Sequence, residues 1–220
     1  ISRIDEDKYV WLDKFTIRNL ELIASPFESG VPLINVLDHT VTPMGSRQLR
    51  KWMVLPLKEI ALIDERLKVV DIFFQQTKLS EKLLEELRHI ADLERLISKV
   101  AVGRINPREM LQLKKSLQRT VPIKNLLEQH TSSELKKLGD QLNRCEFLLE
   151  KIEKELREDA PILTHQGGII KDGIHAELDE LRKIAFSGKD YLLQIQKREV
   201  ERTGINSLKI SYNKVFGYYL

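Results

Sequence analysis

The sequence predicts a mainly α-helical protein: a multi-helical core, long helices projecting from it, and the first strands of a small β element at the C-terminal end. Three observations carry that expectation. Leu, Lys and Glu abound while aromatic residues make up only 6% of the chain, a mix that favours helices over β-sandwiches. Apolar residues recur at helical spacing over most of the length and twice hold a heptad period. After Gly204 they alternate in twos, the period of a half-buried strand.

Taken in order, residues 1–40 give mixed signals. Val10 and Leu12, then Phe15, Ile17, Leu20 and Leu22, suggest short extended pieces, and Ser25-Pro26-Phe27-Glu28-Ser29-Gly30 is rich in turn formers. Thr42-Pro43 then starts a helix. The threonine oxygen caps free amides, and proline stands where its missing N–H costs nothing. Met44, Leu49, Trp52 and Met53 ride on this helix until Pro56 stops it. Leu62, Leu67, Val70 and Phe74 mark the next helix, Leu83, Leu84 and Leu87 a shorter one, and Leu93, Leu96, Ile97 and Val100 another, ended near Gly103. Asn106-Pro107 repeats the cap-plus-proline start for a helix through Met110, Leu113 and Leu117, and Pro122 is expected to open a separate short helix.

Beyond residue 134 the heptads appear. Leu135, Leu138, Leu142, Cys145, Leu149, Ile152 and Leu156 form one seam that predicts an unbroken helix facing a long partner. After a loop with Pro161, Gly167, Gly168 and Gly173, a second seam of Leu178, Leu181, Ala185, Gly188, Leu192 and Ile195 predicts a helix over about 174–203. Gly188 on that seam is either a weak point or a close-packing site. Leu208, Ile210 and Tyr212 then alternate with Lys209 and Ser211, Asn213-Lys214 turns the chain, and residues 215–220 form a second strand.

Several functional classes fall away. No apolar run approaches the ~20 residues of a membrane span. One cysteine, Cys145, forms no internal disulfide and fits a reducing compartment. The chain opens at Ile1 with no signal peptide, as expected of a fragment of a longer protein. His39, His89, His130, His165 and His175 form no i, i+4 pair or HExxH, so no metal site is expected. Gln166-Gly167-Gly168 lacks the Lys-Ser/Thr ending of a phosphate-binding loop, and no nucleophile motif or acid–base pair stands out. The net charge is +3, and residues 197–220 alone carry that excess, with five basic residues against two acidic. Positive charge gathered there suits a polyanion, although three charges on a short tail also fall within ordinary fluctuation. Lys209, Asn213 and Lys214 on an exposed ribbon can meet phosphates without reading bases. The competing role for these lysines is protection of a strand edge from aggregation.

The ordered motifs are more specific than any of these features. Arg18-Asn19-Leu20-Glu21-Leu22, the run from Leu37-Asp38-His39-Thr40 through Pro43-Met44-Gly45-Ser46-Arg47, then Leu49-Arg50-Lys51-Trp52 and Pro56-Leu57, resemble signatures of the MutS family of DNA mismatch-recognition ATPases. So do Asp92-Leu93-Glu94-Arg95, Glu177-Leu178-Asp179-Glu180-Leu181-Arg182, Glu201-Arg202-Thr203-Gly204-Ile205 and Tyr212-Asn213-Lys214-Val215-Phe216-Gly217-Tyr218-Tyr219. The resemblance implies a helical core and lever over 1–180, and the end of the lever helix with the first strands of a DNA clamp, beginning near Ser207, over 181–220. It implies that the parent protein binds mismatched double-stranded DNA, with ATP and Mg driving clamp opening and closing. It further implies a homodimer, a MutL-like downstream partner and an intracellular setting, cytoplasmic in a bacterium or nuclear in a eukaryote.

The family's mismatch-reading Phe-x-Glu motif and its Walker A ATPase are not among these residues, so neither activity is expected of this piece and no cofactor is expected in it. Its expected role is a transmission element between ATPase and clamp that touches the DNA backbone through Lys209, Asn213 and Lys214. Arg18, Asn19, Asp38, Arg47 and Arg50 are expected to tie the N-terminal segment to the first helices. The rival class is a coiled-coil scaffold that self-associates through residues 134–203 and never meets nucleic acid.

Overall fold

The computed structural model describes residues 8–215 and 217–219, apart from the Lys189 side chain. Phe216 and Leu220, assigned above to the second strand, and Ile1 lie outside these residues. The chain divides into two compact units between Ile169 and Ile170.

The first unit opens with α1 (Lys14–Asn19) and α2 (Leu33–Leu37). Phe15, Ile17 and their neighbours are therefore helical and not extended. Asp13 is the reason: its Oδ1 accepts the Thr16 amide at 2.7 Å and nucleates a turn that the apolar spacing alone does not reveal. The extended backbone near Val10 is a single bridge between Tyr9 and Leu57. A loop joins the two helices, and at Gly30 a Cβ would lie 1.9 Å from the Ser25 hydroxyl, so only glycine fits there. Next come α3 (Pro43–Val54), α4 (Ile60–Gln75), α5 (Thr77–Arg88) and α6 (Leu93–Ala101). Thr42 caps α3 by accepting the Gly45 amide at 3.0 Å, with Pro43 at the first helical position.

The organising element is α7 (Pro107–Glu128), on which α5, α6, α8 (Ser133–Asp140) and α9 (Glu146–Glu155) all pack. Asn106 and Glu109 form a reciprocal capping box at its start. Residues buried on α7 include Leu111, Leu113, Leu117, Ile123 and Leu127. One core cluster joins Ile123 and Leu127 to Ile90 and Leu135, flanked by Ile72, Phe73 and Leu87. A second joins Leu113 and Leu117 to Leu96, flanked by Met110 and Leu149.

Two expectations are overturned here. Pro122 does not open a new helix: α7 runs through it. Proline removes one amide and crowds the preceding turn, a cost of about 3 kcal/mol in an unsupported helix. Burial of Ile123 and Leu127 just beyond it offsets that penalty. The seam from Leu135 to Leu156 is likewise not one helix. It breaks at residues 141–145, where Cys145 takes a left-handed conformation (φ 51°) at the start of α9 and Asn143 Oδ1 accepts its amide at 2.8 Å. Leu135 and Leu142 pack with the first cluster, Cys145 and Leu149 with the second. The heptad spacing is met by α7 folding α8 and α9 back along its own length, so the seam faces no outside helix.

Lys124 holds the break in place. Its ammonium donates to the carbonyls of Gly139 (2.9 Å) and Leu142 (2.8 Å) and pairs with Glu128 at 3.0 Å. A cation at the C-terminal end of α8 adds a donor to the Gly139 carbonyl, which also accepts the Leu142 amide at 3.0 Å, and to the Leu142 carbonyl just past the helix. Gly139 permits the approach, since a Cβ there would lie 3.0 Å from Glu128 Cγ and 3.3 Å from the Glu128 backbone nitrogen.

The second unit contains α10 (Ala176–Thr203), about 42 Å long at about 1.5 Å per residue. Gly204, at φ 69°, ends it in the left-handed conformation that glycine adopts without strain. Among the described residues nothing lies within 4 Å of a Cβ added at Gly188. The hairpin of β1 (Ser211–Asn213) and β2 (Gly217–Tyr219) follows, antiparallel, with Tyr212 opposite Tyr218. Leu208 and Ile210, expected within the first strand, precede it. The Leu208 carbonyl accepts from the Gln196 side chain of α10 at 3.1 Å, which ties this stretch to the helix and not to a ladder. No helix of the described residues is long and apolar enough to cross a membrane.

Candidate nucleic-acid interface

The hairpin is short, and its conformation comes from side-chain chemistry within it. Asn213 Oδ1 accepts the Val215 amide at 2.7 Å, turning the chain, and Gly217 takes φ 73°. The Tyr212 and Tyr218 rings meet edge to face, 5.1 Å between centroids. Lys209, Asn213 and Lys214 are all exposed, and among the described residues neither lysine has an ion-pair partner. Asn213 keeps its two amide N–H groups as donors while its oxygen accepts the turn amide. An amide donor and an ammonium at the turn of the ribbon, with a second ammonium at Lys209 just before its first strand, suit phosphate oxygens. On α10 the cations are more neutralised: Glu199 pairs with Arg202 at 2.8 Å and with Arg198 at 3.5 Å. Beneath the ribbon, Ile184, Leu192, Ile210 and the two tyrosines line an apolar groove of about 760 Å³.

In the first unit, two motifs distant in sequence meet. Arg47 on α3 forms a bidentate pair with Asp92 (2.6 and 2.9 Å), and its Nε donates to Glu94 at 2.7 Å. Asp92 also caps α6 by accepting the Arg95 amide. The Arg47 guanidinium holds the Asp92 carboxyl below its ordinary value of 3.8, and the arginine's own value is raised. Asp38 gathers three donors: a short bond from the Ser46 hydroxyl, then the Thr40 hydroxyl (2.6 Å) and the Thr40 amide (3.1 Å). Its carboxyl is lowered by the Ser46 and Thr40 hydrogen bonds, with a smaller contribution from the charge of Arg50. Arg50, Arg18 and Asn19 are exposed, and Arg18 and Asn19 lie on α1, away from this junction in sequence.

Sequence reasoning quoted Asp92 and Glu94 only as motif letters and missed that they receive Arg47. It likewise missed Arg182, which fixes the start of α10 by donating to the Ile170 carbonyl (2.8 Å) and Asp172 (2.6 Å) while pairing with Asp179. An Asp–Arg pair three apart on a helix was the available signal.

These depressed carboxylates set a pH dependence. A carboxyl whose folded value lies below its unfolded one contributes stability above the unfolded value and loses it as pH falls through the folded one. Asp92 starts from 3.8, and Glu134, held by the Ser132 and Ser133 hydroxyls, falls from 4.5 to about 2. The melting temperature should therefore be flat near neutrality and drop between pH 4.5 and 2. Arg47→Ala should shrink that drop. An acid profile identical to that of the unmodified chain in thermal melts would show that the Arg47–Asp92 pair contributes nothing.

The features define a class: a multi-helical domain built on one central helix, joined to a long exposed helix and a small cationic hairpin. Residues 15–212 match the family model of MutS domain III, and the chain belongs to the MutS family. It is 62% identical over all its 220 residues to a DNA mismatch repair protein MutS of Cytophaga hutchinsonii, covering 26% of that protein. Proteins of the same name from Bacteroides thetaiotaomicron and Porphyromonas gingivalis are 55% and 49% identical over the full chain, which covers 26% and 25% of them. The chain thus spans about a quarter of the length of these relatives.

Proposed function

We propose that this chain is the core-and-lever region, with the start of the clamp, of a DNA mismatch repair protein. In the full-length protein it links an ATPase to a clamp that opens and closes on mismatched double-stranded DNA. The family match over residues 15–212 carries this reading. The exposure of Lys209, Asn213 and Lys214 supports their assignment to the phosphate backbone, and the Asp38–Ser46 and Arg47–Asp92 contacts support structural work for Asp38 and Arg47 among the signature residues. The chemistry itself, with ATP and Mg, belongs to the rest of the full-length protein, and this piece is not an enzyme. Its setting is intracellular, and its partners are DNA, a second copy and a MutL-like protein. The scaffold alternative required a seam running from residue 134, and the break at 141–145 removes half of it.

Binding of perfect and mismatched duplexes by the full-length protein, followed by fluorescence anisotropy across a salt series, tests the assignment. Lys209→Ala and Lys214→Ala should each weaken both duplexes alike and reduce the salt slope by about 0.9 per lost phosphate contact. A loss confined to the mismatched duplex would move these residues from the backbone to lesion reading. Unchanged binding would leave them as edge protection.

A further inference from the structure

The first unit holds a buried cation that neither the core nor the proposed DNA contacts explain. Lys114 lies on the central helix with only 7% of its side chain exposed, the third member of a buried stripe with Pro107 and Leu111. Its ammonium stands 3.8 Å from Glu153, on α9, and 3.9 Å from Glu158, just past that helix. Glu158 sits in a tight turn in which the Ala160 amide donates to the Arg157 carbonyl at 3.2 Å. Ala160 is 1% exposed, and its carbonyl accepts from Arg108 Nε on the first turn of the central helix at 3.3 Å. The Arg157 amide then donates to the Ile169 carbonyl at 2.8 Å, closing the loop at the last residue of the unit.

The segment by which the chain leaves the first unit is therefore fastened at both ends. Arg108 and Lys114, both on α7, hold its beginning, and a backbone hydrogen bond holds its end. The two carboxylates approach the Lys114 ammonium from the solvent side, at ion-pair and not hydrogen-bond distance, so they draw the turn toward α7 electrostatically while Arg108 supplies the direct hydrogen bond.

We infer that Lys114 and Arg108 form a latch that pins the 157–160 turn to α7, making α7 the element through which movement of the core reaches the rest of the chain. This rests on the transmission role proposed above. The latch itself is tested separately, by hydrogen exchange with mass spectrometry on the full-length protein. Lys114→Met keeps the apolar stem and removes the charge, and Glu158→Gln, at the exposed end of the pair, leaves the core untouched. Both variants should speed exchange of residues 156–169 by about tenfold while protection of Leu113, Leu117 and Leu135 is unchanged, and Lys114→Arg should restore it. Unchanged exchange in both variants would overturn the latch, as would loss of protection spread evenly along α7. In the same variants, ATP-dependent release of DNA should slow while ATP hydrolysis continues. Exchange that rises while release stays normal would show that the turn is pinned but transmits nothing. Absence of ATP-dependent release in the unmodified protein would instead defeat the transmission role, whatever the exchange data show.

Discussion

Replacing Leu135 with Ala is expected to destabilise the first unit by about 2–5 kcal/mol, the range for removing a fully enclosed leucine side chain. Leu135 is 0% exposed and joins Ile90, Ile123 and Leu127 in one cluster. The cost combines the lost transfer of its methyl groups with the cavity left among helices too tightly interlocked to close over it. Chemical denaturation followed by helical circular dichroism measures it directly. The result also separates two readings of one sequence pattern. A leucine on a seam awaiting an outside helix would cost little in the chain alone. A loss below about 1 kcal/mol would therefore contradict its place in the core, since a half-exposed position forfeits much less.

The second large effect is expected at Lys124. Changing it to Met preserves the length of the side chain but takes the ammonium from the Leu142 carbonyl and from the Gly139 carbonyl, which keeps the Leu142 amide at 3.0 Å, and leaves Glu128 without its nearest cation. A hydrogen bond from a charged donor contributes about 1.5–3 kcal/mol, and a loss in that range should appear in the same denaturation measurement. Exchange at residues 139–145 should rise more than elsewhere, because the variant frees the chain reversal between α8 and α9. Equal loosening of all helices would mean that Lys124 supports the core in general and not this reversal.

Much of the architecture was legible because it rests on local chemistry. Thr42-Pro43 and Asn106-Pro107 announce helix starts through the side-chain oxygen and the ring, and the structure holds a cap at each. The long α10 was visible in its period and in Gly204. What the sequence hid depends on partners far along the chain. Periodicity says that a face is apolar but not which helix covers it, so the seam from Leu135 was assigned an outside partner when α7 supplies the cover. Pro122 looked like a boundary because its local cost is real, while the burial that offsets it comes from other helices. Asp13, by contrast, was a readable cap that was passed over.

The candidate site divides in the same way. Lys209 and Lys214 could be picked out by their place in a basic stretch, but the engagement of Asn213 Oδ1 with Val215 depends on the turn's backbone. The partnership of Arg47 with Asp92 spans 45 residues and leaves no trace in local spacing.

The division at Ile169 has an optical consequence. Both tryptophans, Trp11 and Trp52, belong to the first unit, whereas four of the five tyrosines, Tyr191, Tyr212, Tyr218 and Tyr219, belong to the second. Trp52 lies 4.0 Å beneath the Arg66 guanidinium, a contact that separation of α3 from α4 would break. Tryptophan-selective emission thus follows the helical core alone, and tyrosine emission follows chiefly the long helix and its ribbon. The two halves carry natural reporters of different colour, so their unfolding can be watched separately in a single cuvette without any label.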